Sequence, residues 1–139
     1  MKYLLDTCLI SELVKPQPNR KVMDWLNSVP EHFCVLSVLT LGELRKGISK
    51  LPQSKKKTAL EGWLHSDLCI RFEGRMIPID QDVALAWGKL SGQAELQGVQ
   101  IPVIDGFLAA TALSHQLVLV TRNVADFKAT GVELLNPWG

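Results

Sequence analysis

MKYLLDTCLI, residues Met1 to Ile10, decides the fold: the apolar run Tyr3, Leu4, Leu5 stops abruptly at Asp6, Thr7 and Cys8. So short a run ending in a small polar cluster predicts a buried parallel strand that delivers its last side chain to the sheet edge. In open α/β sheets that carboxyl edge is where ligands and active sites collect, which makes Asp6 the first candidate for chemistry. The same residues also fit a plain strand-to-helix turn, with Asp6 or Thr7 capping a helical segment from Leu9 to Val14.

Further along, Pro16 and Pro18 break that helix, and Asn19 is placed to cap the next, expected over Arg20 to Ser28. Phe33 to Leu36 suits a second strand, after which Ser37 caps a helix from Val38 to about Lys50 with an apolar stripe of Val38, Leu41, Leu44 and Ile48. Glu43 falls off the centre of that stripe, at the boundary between core and solvent. Pro52, Gln53 and Ser54 open a further helix that carries Lys55, Lys56 and Lys57 and then Leu60, Trp63, Leu64, Leu68 and Phe72 at helical spacing, and its lysines read as a solvated face. Arg75 to Ile79 is expected as a third strand, followed by a helix from Gln81 to about Gln97, capped by Asp80 and ended by Gly98. Gly106 to His115 is apolar on every face and so must be buried. Leu117 to Val120 and Val132 to Leu135 complete the strands, with a helical turn at Val124 to Phe127 between them. Strands alternating with helices at these lengths predict a parallel α/β sheet of four to five strands with right-handed crossovers.

The 139 residues, 47% hydrophobic and 21% charged, suit a single domain over 1–139 that buries roughly two thirds of its unfolded surface. A net charge of +1 excludes a polycation, so any nucleic-acid contact must come from local basic residues. Cys8, Cys34 and Cys69 are odd in number and scattered, without zinc or disulfide spacing. The apolar run after Lys2 is too short for a secretion signal, and no stretch nears the ~20 apolar residues of a membrane span. The expected setting is a reducing cytoplasm.

Four polar positions stand at expected strand ends or helix starts: Asp6, Glu43, Asp105, and Asn123 with Asp126. Each has an innocent explanation. Glu43 suits an i,i+3 pair with Lys46, Asp105 suits an N-cap, and Asn123 with Asp126 has the form of a capping box. Taken together they point elsewhere, because a parallel sheet brings such positions to one edge. Carboxylates gathered there repel one another unless a cation sits between them. Oxygen ligands without His or Cys select a hard ion, Mg²⁺ or Mn²⁺, which suits attack by water on a phosphodiester.

LLDTCLIS (Leu4 to Ser11), the following ELVKPQPN, LTLGELRKGI (Leu39 to Ile48), IDGFLAATALSHQL (Ile104 to Leu117), VTRNVADF (Val120 to Phe127) and the closing LLNPWG occur in that order. This ordered set resembles PIN-domain proteins of the VapC toxin family, in their FitB-like branch, over nearly the whole chain. The resemblance implies a PIN-like three-layer α/β/α sandwich and a Mg²⁺- or Mn²⁺-dependent endoribonuclease restrained by a VapB-like antitoxin. By motif it assigns Asp6, Glu43 and Asp105 to catalysis and metal binding. The family's fourth acidic position falls on Asn123, with Asp126 the nearest carboxylate, either reaching metal through water. Thr7 matches a hydroxyl that orients metal-bound water or phosphate, and Arg122 is placed to face phosphate. Cys8 departs from the family, standing where most relatives carry Asn.

The resemblance further implies a homodimer, and a larger complex with antitoxin, encoded by an adjacent gene, that binds operator DNA through the antitoxin. Lys46, Lys50 and Arg122 are candidates for RNA backbone contacts, while Leu13, Trp25 and Leu26 suit either the core or a dimer and antitoxin groove. Two other functions are open. One is a catalytically weak module acting mainly with a DNA-binding antitoxin in operon autoregulation. The other, a phosphotransferase using Asp6 as nucleophile, would want a second Asp at the position of Cys8.

Overall fold

Side chains of a pleated strand alternate between its two faces, and here both faces are buried, so neighbouring apolar residues enter different cores. In β1 (Tyr3–Leu5), Leu4 joins one apolar cluster and Leu5 the other. Val35 and Leu36 of β2 (Cys34–Ser37) divide in the same way, as do Leu119 and Val120 of β4 (Val118–Val120). With β3 (Met76–Ile77) and β5 (Leu134–Leu135), they form one parallel sheet in the order β3-β2-β1-β4-β5. The computed structural model describes all of residues 1–139.

Helices cover both faces and give the expected α/β/α sandwich. One side carries α1 (Thr7–Leu13), α2 (Arg20–Ser28), α3 (Val38–Ser49), α4 (Lys55–Gly62), a π-helical turn at Trp63–Leu68, and α5 (Cys69–Arg71). The other carries α6 (Gln81–Leu96), α7 (Val103–Ser114) and α8 (Val124–Phe127). Leu13, Trp25 and Leu26 pack half-buried against the first core. No helix is long and apolar enough to cross a membrane.

The caps at Asn19, Ser37 and Asp80 form as expected, accepting from Val22 N–H (3.2 Å), Leu39 N–H (3.1 Å) and Val83 N–H (3.0 Å). Several boundaries differ from the sequence reading, each for a local reason. Phe33 lies in a 3-10 turn, so β2 starts one residue later and ends on Ser37. β3 is shorter than Arg75 to Ile79: it pairs only with β2, and Pro78 has no N–H to extend the ladder. Gly131 turns the chain with φ +75°, which leaves only Leu134 and Leu135 paired in β5. Val38 is exposed, not part of the buried stripe of α3; the row Thr40, Leu44, Ile48 is buried instead, at four-residue spacing. The wider π turn keeps Leu64, Leu68 and Phe72, also four apart, on the core side.

α7 begins at Val103, three residues before Gly106, because Pro102 sets the entry and its carbonyl accepts the Gly106 N–H at 2.8 Å. Asp105 therefore lies in the first turn and is not the N-cap. Gly106 brings α7 close to α6: a Cβ there would stand 3.0 Å from Trp87 Cδ1 and Nε1. Trp87 in turn stacks on Phe107, ring centroids 4.7 Å apart. Because the tryptophan is pinned by this stack, Gly106→Ala should destabilise the protein by about 1–3 kcal/mol through overpacking. Urea unfolding measures this, and wild-type stability in the variant would mean that the two helices separate freely.

Candidate active site

The chain adds β2 and β3 on one side of β1, then returns to place β4 and β5 on the other. That reversal opens a crevice beyond the carboxyl ends of β1 and β4, the switch point where doubly wound sheets bind ligands. Asp6 and Thr121 flank it. The Asp6 N–H donates to Val120 O at 2.9 Å, continuing the β1–β4 ladder by one bond. Thr121 Oγ1–H donates to Asp6 Oδ2 at 2.7 Å in a buried bond. Asp6 Oδ1 accepts the Thr7 N–H at 2.7 Å, so Asp6 caps α1 with one oxygen while the other accepts from Thr121.

Thr7 ties the next carboxylate in: its Oγ1–H donates to Glu43 Oε1 at 2.6 Å, and Oγ1 lies 3.2 Å from that of buried Thr40. Glu43 is thus occupied by Thr7, and it makes no ion pair with Lys46. Cys8 also faces Asp6, its thiol 3.7 Å from Oδ2, while the Arg122 N–H donates to Cys8 Sγ at 3.5 Å. Burial pushes the Cys8 thiol up, with the Asp6 charge acting in the same direction against the Arg122 N–H. A thiol is a weak substitute for an amide here, but it still donates to the carboxylate.

Asp105 joins the group from α7. Its carboxyl is pushed above the ordinary aspartate range, first by burial and then by the negative charges of Asp6, Asp126 and Glu43. The charges of Asp6, Asp126 and Glu43 thus reach Asp105, which has neither a hydrogen-bond donor nor a cation to answer them. In this arrangement no three of these carboxylates close up tightly enough to cage an ion. The donor set is nonetheless all oxygen and its uncompensated charge is negative, which fits a hard divalent cation.

The capping box at Asn123 does not form. The Asn123 N–H, which Asp126 would have accepted, is taken by Thr121 Oγ1 at 3.0 Å, and the Asn123 side chain accepts nothing from α8. Asp126 is exposed and free to face Asp105. Arg122 is exposed beside the crevice with its guanidinium 5.6 Å from the Trp138 ring centroid. Next to Glu43 runs a groove of about 470 Å³ along the outer side of α3, walled opposite by Ile104.

Sequence reasoning missed Thr121 and Thr40 as parts of the site. Thr121 was legible in principle: it follows β4 as Asp6 follows β1, and the Leu5–Val120 register sets the two side by side. Buried Glu12, by contrast, stands outside the cluster. It is held below the usual carboxylate range by Lys15 (3.0 Å) and the Asn19 N–H (2.9 Å), and so fastens the proline-broken loop.

A PIN domain model matches residues 3–133, most of the chain. The chain belongs to the PIN domain family. Toxin FitB of Neisseria gonorrhoeae is 40% identical over 135 residues, covering 97% of both chains. VapC ribonuclease Y4jK of Sinorhizobium fredii is 36% identical, covering 97% of this chain and 96% of its own. Among solved structures, FitAB bound to an IR36 DNA fragment matches with a TM-score of 0.92 at 37% identity, over 99% of this chain and 96% of that one.

In this PIN domain the raised Asp105 carboxyl has a signed consequence for stability. Between the ordinary aspartate pKa of about 3.9 and the raised folded value, the native state binds more protons than the unfolded state, so stability falls as pH rises. In EDTA, wild-type stability should therefore drop from about pH 4 toward neutrality by more than that of Asp105→Asn. The variant should be the more stable of the two at neutral pH. Denaturant melts across pH measure both, and parallel curves would remove the inferred repulsion.

Proposed function

We propose that this chain is the toxin of a type II toxin–antitoxin system, an endoribonuclease that hydrolyses RNA phosphodiesters with a divalent metal. The observation that carries this reading is the pair Asp6 and Glu43, tied through Thr7 beyond the sheet switch point, with negative charge reaching an Asp105 that lacks any cationic partner. The names of its relatives, a FitB toxin and a VapC ribonuclease, agree with it.

Asp6, Glu43 and Asp105 would hold Mg²⁺ or Mn²⁺, with Asn123 and Asp126 reaching it through water. Bound there, the ion supplies Lewis acidity toward a phosphodiester and lowers the pKa of water for in-line attack. Thr121 and Thr7 fix the Asp6 and Glu43 carboxylates by hydrogen bonds of 2.7 and 2.6 Å, so their orientation is set before substrate arrives. Arg122 offers an exposed guanidinium beside the crevice, suited to bidentate contact with a phosphate. The inhibitory partner is a VapB-like antitoxin from an adjacent gene, whose arginine-bearing tail would neutralise the acidic centre. With a homodimer of this chain it forms a larger complex that binds operator DNA. The FitAB complex on DNA is consistent with such an assembly. Against a catalytically weak regulatory module stands the negative charge that Asp6, Asp126 and Glu43 bring to Asp105 with no cation to answer it.

The decisive test is RNA cleavage by antitoxin-free protein in Mg²⁺ or Mn²⁺ against EDTA. Asp6→Asn, Glu43→Gln and Asp105→Asn should each abolish cleavage and growth arrest with unchanged circular dichroism. Asp126→Asn removes no cap and relieves part of the charge on Asp105, so it should not destabilise the metal-free protein, but it should slow cleavage ~10- to 100-fold, as loss of an outer-shell metal partner does. Full activity in Asp6→Asn would overturn the reading.

Metal should also raise the melting temperature, adding ~2.7 kcal/mol at a hundred times its dissociation constant. Asp105→Asn should blunt the rise. A flat titration of folded wild-type protein would count against a metal centre.

A further inference from the structure

The outer face of α3 is built against helix propensity. Gly42 and Gly47 both lie inside this twelve-residue helix, where a glycine costs about 0.5–1 kcal/mol relative to alanine. Neither is needed for packing, because a Cβ on either would meet no atom within 4 Å. Both line the groove along α3, one on each side of Glu43, so the space they leave open faces outward. Lys46 and Lys50 line the same groove one helical turn apart, exposed and in no ion pair. Toward the start of α3, on the far side of Glu43 from the lysines, the walls are apolar, with Val38 and Ile104 each more than a third exposed.

We propose that this groove is the track for the single-stranded RNA cleaved at the acidic centre, an inference that rests on the ribonuclease reading. A base next to the scissile phosphate lies against Val38 and Ile104, the strand passes over Gly42 and Gly47, and successive phosphates meet Lys46 and Lys50. Charge favours RNA as the occupant. A polyanion approaching four carboxylates needs positive charge close by, and two unpaired ammonium groups supply it on the path to Glu43. A groove with an apolar wall at one end and charge at the other suits a single strand, whose unstacked bases are free to lie on side chains.

The test uses Asp6→Asn protein, which binds without cutting, and a short fluorescein-labelled single-stranded RNA of mixed sequence titrated at several salt concentrations. For single strands, log K falls with log salt by about 0.7 per neutralised phosphate. Adding Lys46→Gln and Lys50→Gln should therefore lower the slope by about 1.4. Gly42→Ala with Gly47→Ala should raise the melting temperature yet weaken RNA binding severalfold, opposite signs that a purely structural role does not produce. An unchanged slope in the lysine pair, or unchanged affinity in a stabilised glycine pair, overturns the track while leaving the ribonuclease reading in place. Failure of the Asp6→Asn parent to bind RNA at any salt overturns both. Loss of the co-expressed antitoxin from the lysine pair, with RNA binding intact, assigns the groove to that protein and overturns the RNA proposal.

Discussion

Like charge held at one place is the constraint on which this molecule turns. Burial first, and then the negative charges of Asp6, Asp126 and Glu43, push the Asp105 carboxyl up. Left to itself such a cluster would spread apart. What holds it is the apolar packing of both faces of a parallel sheet, together with bonds that fix individual carboxylates. The fold thus holds like charges together at an unfavourable site, and local sequence rules give way here first for that reason.

The bonds around the cluster have two roles each. The Thr121–Asp6 bond joins the ends of β1 and β4 while it orients a carboxylate. The Thr7–Glu43 bond joins α1 to α3 and fixes a second. Asp6 caps α1 with one oxygen and receives Thr121 with the other. A structural role for these residues therefore leaves the carboxylates available for chemistry. An N-cap satisfies one carboxylate oxygen and leaves the other free to be aimed, which is an economical way to build a rigid acidic site.

The two faces of the sheet contribute differently. Asp105 depends on how closely α7 approaches α6, which Gly106 permits against the Trp87–Phe107 stack. Glu43 depends on α3, whose inner row is buried and whose outer row is open, lysine-bearing and glycine-marked. One helix thus supplies a carboxylate at the boundary between its core-facing and solvent-facing sides. That placement keeps Glu43 rigid yet accessible from the groove.

Much of this was legible in the chain. Two-residue alternation is hidden when both faces of a strand are buried, yet the short apolar runs ending in Asp6, Ser37 and Thr121 still marked the three central strands. The caps at Asn19, Ser37 and Asp80 depend on bonds within a few residues and were readable for the same reason. Three site carboxylates, Asp6, Glu43 and Asp105, were named from strand ends, helix starts and motif order. Tertiary structure decided what depends on partners distant in sequence. Thr121 became a site residue only because β4 pairs with β1, and the Asn123 capping box failed because Thr121, itself turned toward Asp6, takes the N–H. The start of α7 and the shortness of edge strands β3 and β5 trace instead to nearby residues, Pro102, Pro78 and Gly131, whose effect the sequence reading passed over. Local hydrogen bonding and side-chain period are written in sequence, whereas register, edge position and the sharing of a donor between two acceptors exist only once the chain has closed on itself.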